Sequence, residues 1–256
     1  MKALENALTV LLAFGDDKKE LSLAEVAART KLGKSGVCKV LATFKRYGFV
    51  RQNPVTKAYS LGYRLMALGA QALSDFDARE VAKPYLKLLV EEFGENAQLM
   101  ILDEQSAVII EQVESPNIIR LSMKMGKRYP LHCGAGPKLL LAFCSEEQIN
   151  AYIASHGLDK WTENTITSRD ALMERLAQIR RDGYCISQGE FDPDAVAYAV
   201  PVRNAEGTVI AAIAVSGPRN RMIQWEEKGL LPRLLEVGRE VSKELGYMSP
   251  GGGRSQ

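Results

Sequence analysis

No Asp or Glu stands between Glu25 and Asp75, in a chain of 256 residues that otherwise balances 33 basic against 31 acidic side chains. The same interval holds nine cations: Arg29, Lys31, Lys34, Lys39, Lys45, Arg46, Arg51, Lys57 and Arg64. A solvated surface normally intersperses both signs, so the gap argues against an ordinary Lys-rich face and for a polyanionic partner. Residues 1–64 carry a net charge of +7, from 12 Lys and Arg against 5 Asp and Glu. The remainder carries −5, from 21 against 26.

Other scarcities narrow the field. No apolar run approaches the ~18–20 residues that a membrane-spanning helix needs, so no membrane partner is expected. The four cysteines (Cys38, Cys133, Cys144, Cys185) include no CxxC pair, so neither a zinc site nor a disulfide framework is suggested. Two histidines, His132 and His156, leave little for metal ligation. No metal and no cofactor are expected. The opening Met1-Lys2-Ala3-Leu4-Glu5 bears an acid and enters helical periodicity at once, unlike a signal peptide. Free thiols and no leader read as a cytoplasmic protein.

What is present begins with three short helices. Leu4, Ala7, Leu8, Leu11 and Leu12 recur at helical spacing and predict a first helix up to about Phe14, broken by Gly15-Asp16-Asp17. Ser22 followed by Glu25 is a capping box that opens a second helix, with Leu23, Val26 and Ala27 inward. Leu32-Gly33 turns the chain into a third helix, about Lys34 to Tyr47, buried through Val37, Val40, Leu41 and Phe44. Gly48 stands where a C-terminal capping glycine belongs.

The opposite face of that third helix explains the missing acids. Ser35, Gly36, Lys39, Thr43 and Arg46 are small, hydroxyl-bearing or cationic, as a helix entering the DNA major groove requires. A carboxylate there would face phosphates. "FVRQNPVTKAYSLG" then reads as two short strands around Asn53-Pro54, with Arg51 and Lys57 near the tip. Three helices and a hairpin make a winged helix-turn-helix, with Lys34, Ser35, Gly36, Lys39, Thr43, Arg46, Arg51 and Lys57 as its DNA-binding residues.

"LSLAEVAARTKLGKSGVCKVLATFKRYGFV" and "YSLGYRLMALG" resemble the isocitrate-lyase-regulator (IclR) family of bacterial transcription factors. Gly36 stands where that family usually has Thr, and Lys39 where Arg is common. "YRLMALGAQAL" continues as a helix linking two halves, its apolar side open to dimerisation or to packing on its own domain. Beyond it, a helix over Asp77 to about Gly94 precedes strands at "AQLMIL" and "AVIIEQV" and a short one near "IIRLSM". Helices follow at 137–144, 146–155 and 168–182. Strands near "YCIS", "AVAYAVPV" and "TVIAAIAVS", the last two joined through Asn204 to Gly207, precede a final helix from about Glu226 to Leu245. This is an α+β pattern on an antiparallel sheet.

"GKRYPLHCGAGPKLLLAF", "TENTITSRDALMERLAQIRRDGY" and "YAVPVRNAEGTVIAAIAVSGP" extend the resemblance to roughly residues 3–247. It implies an effector-binding domain of GAF/PAS-like fold. The boundaries expected are 1–62 for the winged helix-turn-helix, 63–76 for the linker helix, 77–247 for the effector domain and 248–256 for a disordered tail.

In "LHCGAGPKLLLA", Gly134 and Gly136 allow a tight turn and Pro137 suits a first helical turn. Amides of Gly134 and Ala135 at a helix N-terminus favour an anion, although a bare helix start would look the same. The resemblance implies a small organic acid held at this turn, next to Cys133, with Ser216 as a further contact. It also places Ser187, Ala197 and Ala214 where the family often has Asp, Cys and Ser. The pocket expected is therefore less polar and roomier, suited to a bulkier carboxylate, aromatic ones included.

No catalytic residue is expected. His132 and Cys133 are sequence neighbours and in extended chain point to opposite faces, which disfavours a nucleophile–base pair. A GAF-type thiol-dependent enzyme using Cys133 or Cys185 is the alternative. The resemblance favours a regulator, with a repressor as the expectation, that binds double-stranded operator DNA and works as a homodimer or tetramer.

Overall fold

The computed structural model describes residues 2–14, 18–74 and 77–248. The expected break at residues 15–17 and the tail from residue 249 lie outside them. The chain divides into two compact units, Met1–Asp75 and Phe76–Gln256.

The first unit contains α1 (Lys2–Leu12), α2 (Leu23–Thr30), α3 (Lys34–Arg46), β1 (Val50–Gln52), β2 (Tyr59–Leu61) and α4 (Tyr63–Ser74). The capping box forms: the Glu25 amide donates to the Ser22 hydroxyl at 3.3 Å, and the Ser22 amide donates to the Glu25 carboxylate at 2.8 Å. Val10, Leu21, Val26, Val37, Leu41 and Val50 are wholly or nearly wholly buried and form the core. Burying each contributes roughly 1.5–3 kcal/mol.

The face of α1 differs from the pattern expected of it. Val10 is its buried anchor, whereas Leu4, Leu8 and Leu12 are 66%, 50% and 81% exposed. Leucines at four-residue spacing describe an apolar stripe without saying what covers it. β1 and β2 pair antiparallel with Arg51 opposite Ser60, and Asn53 holds the turn by accepting the amides of Val55 and Thr56. Gly62 is required by proximity, since a Cβ there would lie 2.1 Å from the Gly48 carbonyl oxygen.

The second unit is a six-stranded antiparallel sheet in the order β5-β4-β3-β8-β7-β6. Its strands are β3 (Asn96–Asp103), β4 (Ser106–Val113), β5 (Arg128–Tyr129), β6 (Cys185–Gln188), β7 (Ala195–Arg203) and β8 (Val209–Pro218). The helices are α5 (Asp77–Phe93), α6 (Ala135–Ala142), α7 (Glu146–His156), α8 (Arg169–Asp182), α9 (Arg219–Glu227) and α10 (Leu230–Glu244). α6 packs across β3, β8, β7 and β6, with α8 behind it; α5 and α10 pack on each other and on the sheet. With both faces covered, β8 is apolar on both: Ala212 and Ala214 join the α6 cluster, and Ile213 and Val215 are buried as well.

Two expectations for this unit are corrected. "IIRLSM" is not a strand, and the short edge strand lies instead at Arg128–Tyr129, paired with β4. Residues 118–123 cross as a loop anchored by side chains: Asn96 donates to the Leu121 carbonyl at 2.8 Å and Arg221 to that of Ile119 at 3.0 Å. Ile118 is 96% exposed, so β-branched residues marked no pairing here. The final helix begins at Leu230, four residues later than expected, and a further helix, α9, precedes it, with Gly229 at φ +89 capping the start of α10.

Candidate DNA-reading face and ligand cavity

Lys34, Ser35, Gly36, Lys39, Thr43, Arg46, Arg51 and Lys57 are all exposed on the first unit. Ser35, Lys39, Thr43 and Arg46 fall on one side of α3 by helical pitch. Nothing lies within 4 Å of a Cβ built on Gly36, so its smallness serves no contact inside this unit. Thr43 donates its hydroxyl back to the Lys39 carbonyl at 3.0 Å. Arg51 sits in β1 rather than at the hairpin tip, its guanidinium 4.2 Å from the centre of the Tyr63 ring. Lys57 is in the turn, at φ +60. Lys45, not counted among the DNA-binding residues, donates to Gln52 at 3.0 Å and ties α3 to the hairpin.

In the second unit, a cavity of about 230 Å³ lies between α6 and the sheet, below the roughly 300–1,000 Å³ usual for small-ligand sites. Cys133, Gly134, Ala135, Ser187, Ala197, Ala214 and Ser216 all line it. Register explains part of that convergence: Ser187 pairs with Ala197 across β6–β7, and Ala197 with Ser216 across β7–β8. Met100, Met123, Tyr129 and Phe191 add apolar wall, with the Tyr129 and Phe191 rings 6.1 Å apart. Ser216 is engaged by Gln98, which donates to its hydroxyl at 3.3 Å. Ser187 is 4% exposed, and its hydroxyl makes no hydrogen bond among the described residues.

The Gly134 amide is not free. It donates to Oε2 of Glu190 at 3.1 Å, while Oε1 of Glu190 accepts from Lys138, which is fully buried. Gln98, Lys138 and Glu190 were absent from the expected site. A single cation inside "PKLLLAF" was the available signal, since a buried ammonium requires a partner carboxylate. The acidic loop "QGEFDPDA" supplies it.

The thiols are poor nucleophiles. Burial, and next the Glu190 carboxylate, push the Cys133 thiol up to about 12; burial pushes Cys185 up to about 11. His132 is bonded elsewhere, through Nδ1 to the Tyr152 hydroxyl at 2.7 Å and Nε2 to the Asp159 carbonyl at 3.0 Å. Neither arrangement activates sulfur.

Residues 3–54 match the IclR helix-turn-helix domain model and residues 70–243 the model for the bacterial transcriptional regulator IclR C-terminal domain. The HTH-type transcriptional regulator XynR of Escherichia coli is 32% identical over 96% of this chain and 98% of its own length. The transcriptional repressor IclR of the same organism is 28% identical, over 97% and 91%. An IclR homologue from Microbacterium hydrocarbonoxydans, solved with 4-hydroxybenzoate, superposes with a TM-score of 0.85 at 23% identity, over 95% of this chain and 98% of that one. Among the described residues no helix is long and apolar enough to cross a membrane.

Proposed function

Because the chain belongs to the IclR family of bacterial transcriptional regulators, we propose that α3 reads double-stranded operator DNA and that an organic acid in the cavity changes that binding. The chain is a helix-turn-helix transcriptional regulator and not an enzyme. The observation that carries the reading is the acid-free outer face of α3, where Ser35, Lys39, Thr43 and Arg46 are exposed together. Exposed Thr43 carries a methyl group that suits a thymine methyl, and the cations suit phosphates. The test is sequencing of genomic fragments retained by the protein, followed by substitutions. Ser35→Ala or Thr43→Val changes which sequences are preferred, whereas Lys57→Ala weakens all of them alike. Uniform weakening by all three would remove α3 as the reader.

The finer reading is a cytoplasmic repressor of a catabolic operon, released by a small organic acid and assembled as a homodimer or tetramer. Repression is supported by likeness to the E. coli repressor. Assembly is supported by the exposed leucines of α1, which need cover, and is checked by sedimentation. An aromatic acid is favoured because Ala197 and Ala214 trim the sheet side of the cavity and the Tyr129 and Phe191 rings wall it. The neighbour solved with 4-hydroxybenzoate has the same fold. Calorimetry with 4-hydroxybenzoate and with glyoxylate separates the two sizes of acid, and binding of glyoxylate alone would overturn the aromatic reading.

A further inference from the structure

We propose that Glu190 is a built-in occupant of the carboxylate position at the α6 turn, and that a ligand acid binds by taking its place. This rests on the reading of the cavity as an acid site. The Glu190 carboxylate spends one oxygen on the Gly134 amide and the other on Lys138, 52 residues away in sequence. Both groups are what a free carboxylate would seek: an amide at a helix N-terminus and a buried ammonium. Glu190 lines the cavity and Lys138 does not.

Addition beside an intact Glu190 would set two carboxylates against one ammonium in a poorly screened space, a repulsion that exchange avoids. Exchange keeps the charge balanced, because the incoming acid reproduces both bonds while Glu190 turns toward solvent. Only side-chain torsions need change. The Glu190 carbonyl stays fixed, accepting from the Thr165 hydroxyl at 2.7 Å and the Thr162 hydroxyl at 3.3 Å. A second feature calls for a ligand independently of the turn: Ser187, a residue only 4% exposed, lines the cavity and its hydroxyl has no hydrogen-bond partner among the described residues. A tethered competitor lowers apparent affinity by the fraction of time it occupies the position. Glu190 thereby makes the protein respond only to abundant acid.

The full-length protein is compared with Glu190→Ala and Glu190→Gln. Titration with acetate, read by thermal unfolding against chloride and acetamide, should raise the melting temperature of Glu190→Ala at low acetate and that of the wild type only at far higher acetate. Both variants should bind 4-hydroxybenzoate more tightly by about tenfold or more, where tenfold corresponds to ~1.4 kcal/mol. A merely structural role for Glu190 predicts weaker binding, so a folded variant that binds neither carboxylate more tightly overturns the proposal. If only acetate gains, exchange stands and the aromatic reading falls. Should both variants fail to fold, the wild type decides: high acetate, but not chloride, must shift the Gly134 amide resonance, and an unmoved resonance overturns exchange.

Discussion

Lys138 and Glu190 were introduced to each other only by folding, and their energetics are those of a pair. Removing one partner leaves the other charge buried and alone, at a cost of about 3–5 kcal/mol. Glu190→Gln, which strands the fully buried Lys138 ammonium, should therefore destabilise strongly, and the double variant Lys138→Met/Glu190→Gln should be more stable than it. Urea unfolding of the wild type, Lys138→Met, Glu190→Gln and the double variant checks this, and additive losses would mean the pair is not coupled. Gly134 has its own constraint at φ +90 and ψ 167, a region that side chains avoid. Gly134→Ala should lose about 1–3 kcal/mol from backbone strain even though Pro137 leaves ordinary contact distance for the methyl. Among the thiols, exposed Cys38 should react with iodoacetamide at neutral pH well before Cys133 and Cys185. Equal labelling of Cys133, read by peptide mass spectrometry, would bring the thiol chemistry back.

At the scale of elements, α2 and α3 make opposite demands. The cap of α2 is local, so Ser22→Ala should cost about 1 kcal/mol in unfolding. The Lys18 ammonium, and then the Ser22 hydroxyl, hold the Glu25 carboxyl down at about 2, below its ordinary value of 4.5. A depressed carboxyl contributes stability that is present above its ordinary value and lost as pH falls toward 2; the Glu25 side chain is 40% exposed, so solvent screens most of it. In α3, Gly36 weakens the helix without serving a contact. Gly36→Ala should stabilise the first unit by roughly 0.5–1 kcal/mol while altering DNA affinity, because the added methyl faces outward. Improved stability with unaltered DNA binding would show that this stretch of α3 does not approach the duplex.

At the scale of the molecule, charge asymmetry sets the salt response. If about four phosphates are contacted per DNA-binding unit, the log–log slope is about −3.5 per unit and about −7 for a dimer. Fluorescence anisotropy on duplex DNA measures it, and a slope near zero would remove the argument from the missing acids.

What was legible in the sequence at each scale was what depends on neighbours in the chain. The helix start at Ser22, the hairpin turn at Asn53 and the buried stripe of α3 all follow from local hydrogen bonding and helical pitch. The outward face of α1 and the loop at 118–123 did not, because periodicity reveals an apolar face but not its partner. The cavity wall formed by Ser187, Ala197 and Ser216 depended on strand register, and the resemblance to known regulators stood in for that register. Glu190 on Gly134 and Lys138 had no such substitute. Fifty-six residues separate the Glu190 carboxylate from the amide it holds. A contact over that distance exists only because the sheet and α6 close on each other, and burial then forces the charges to pair.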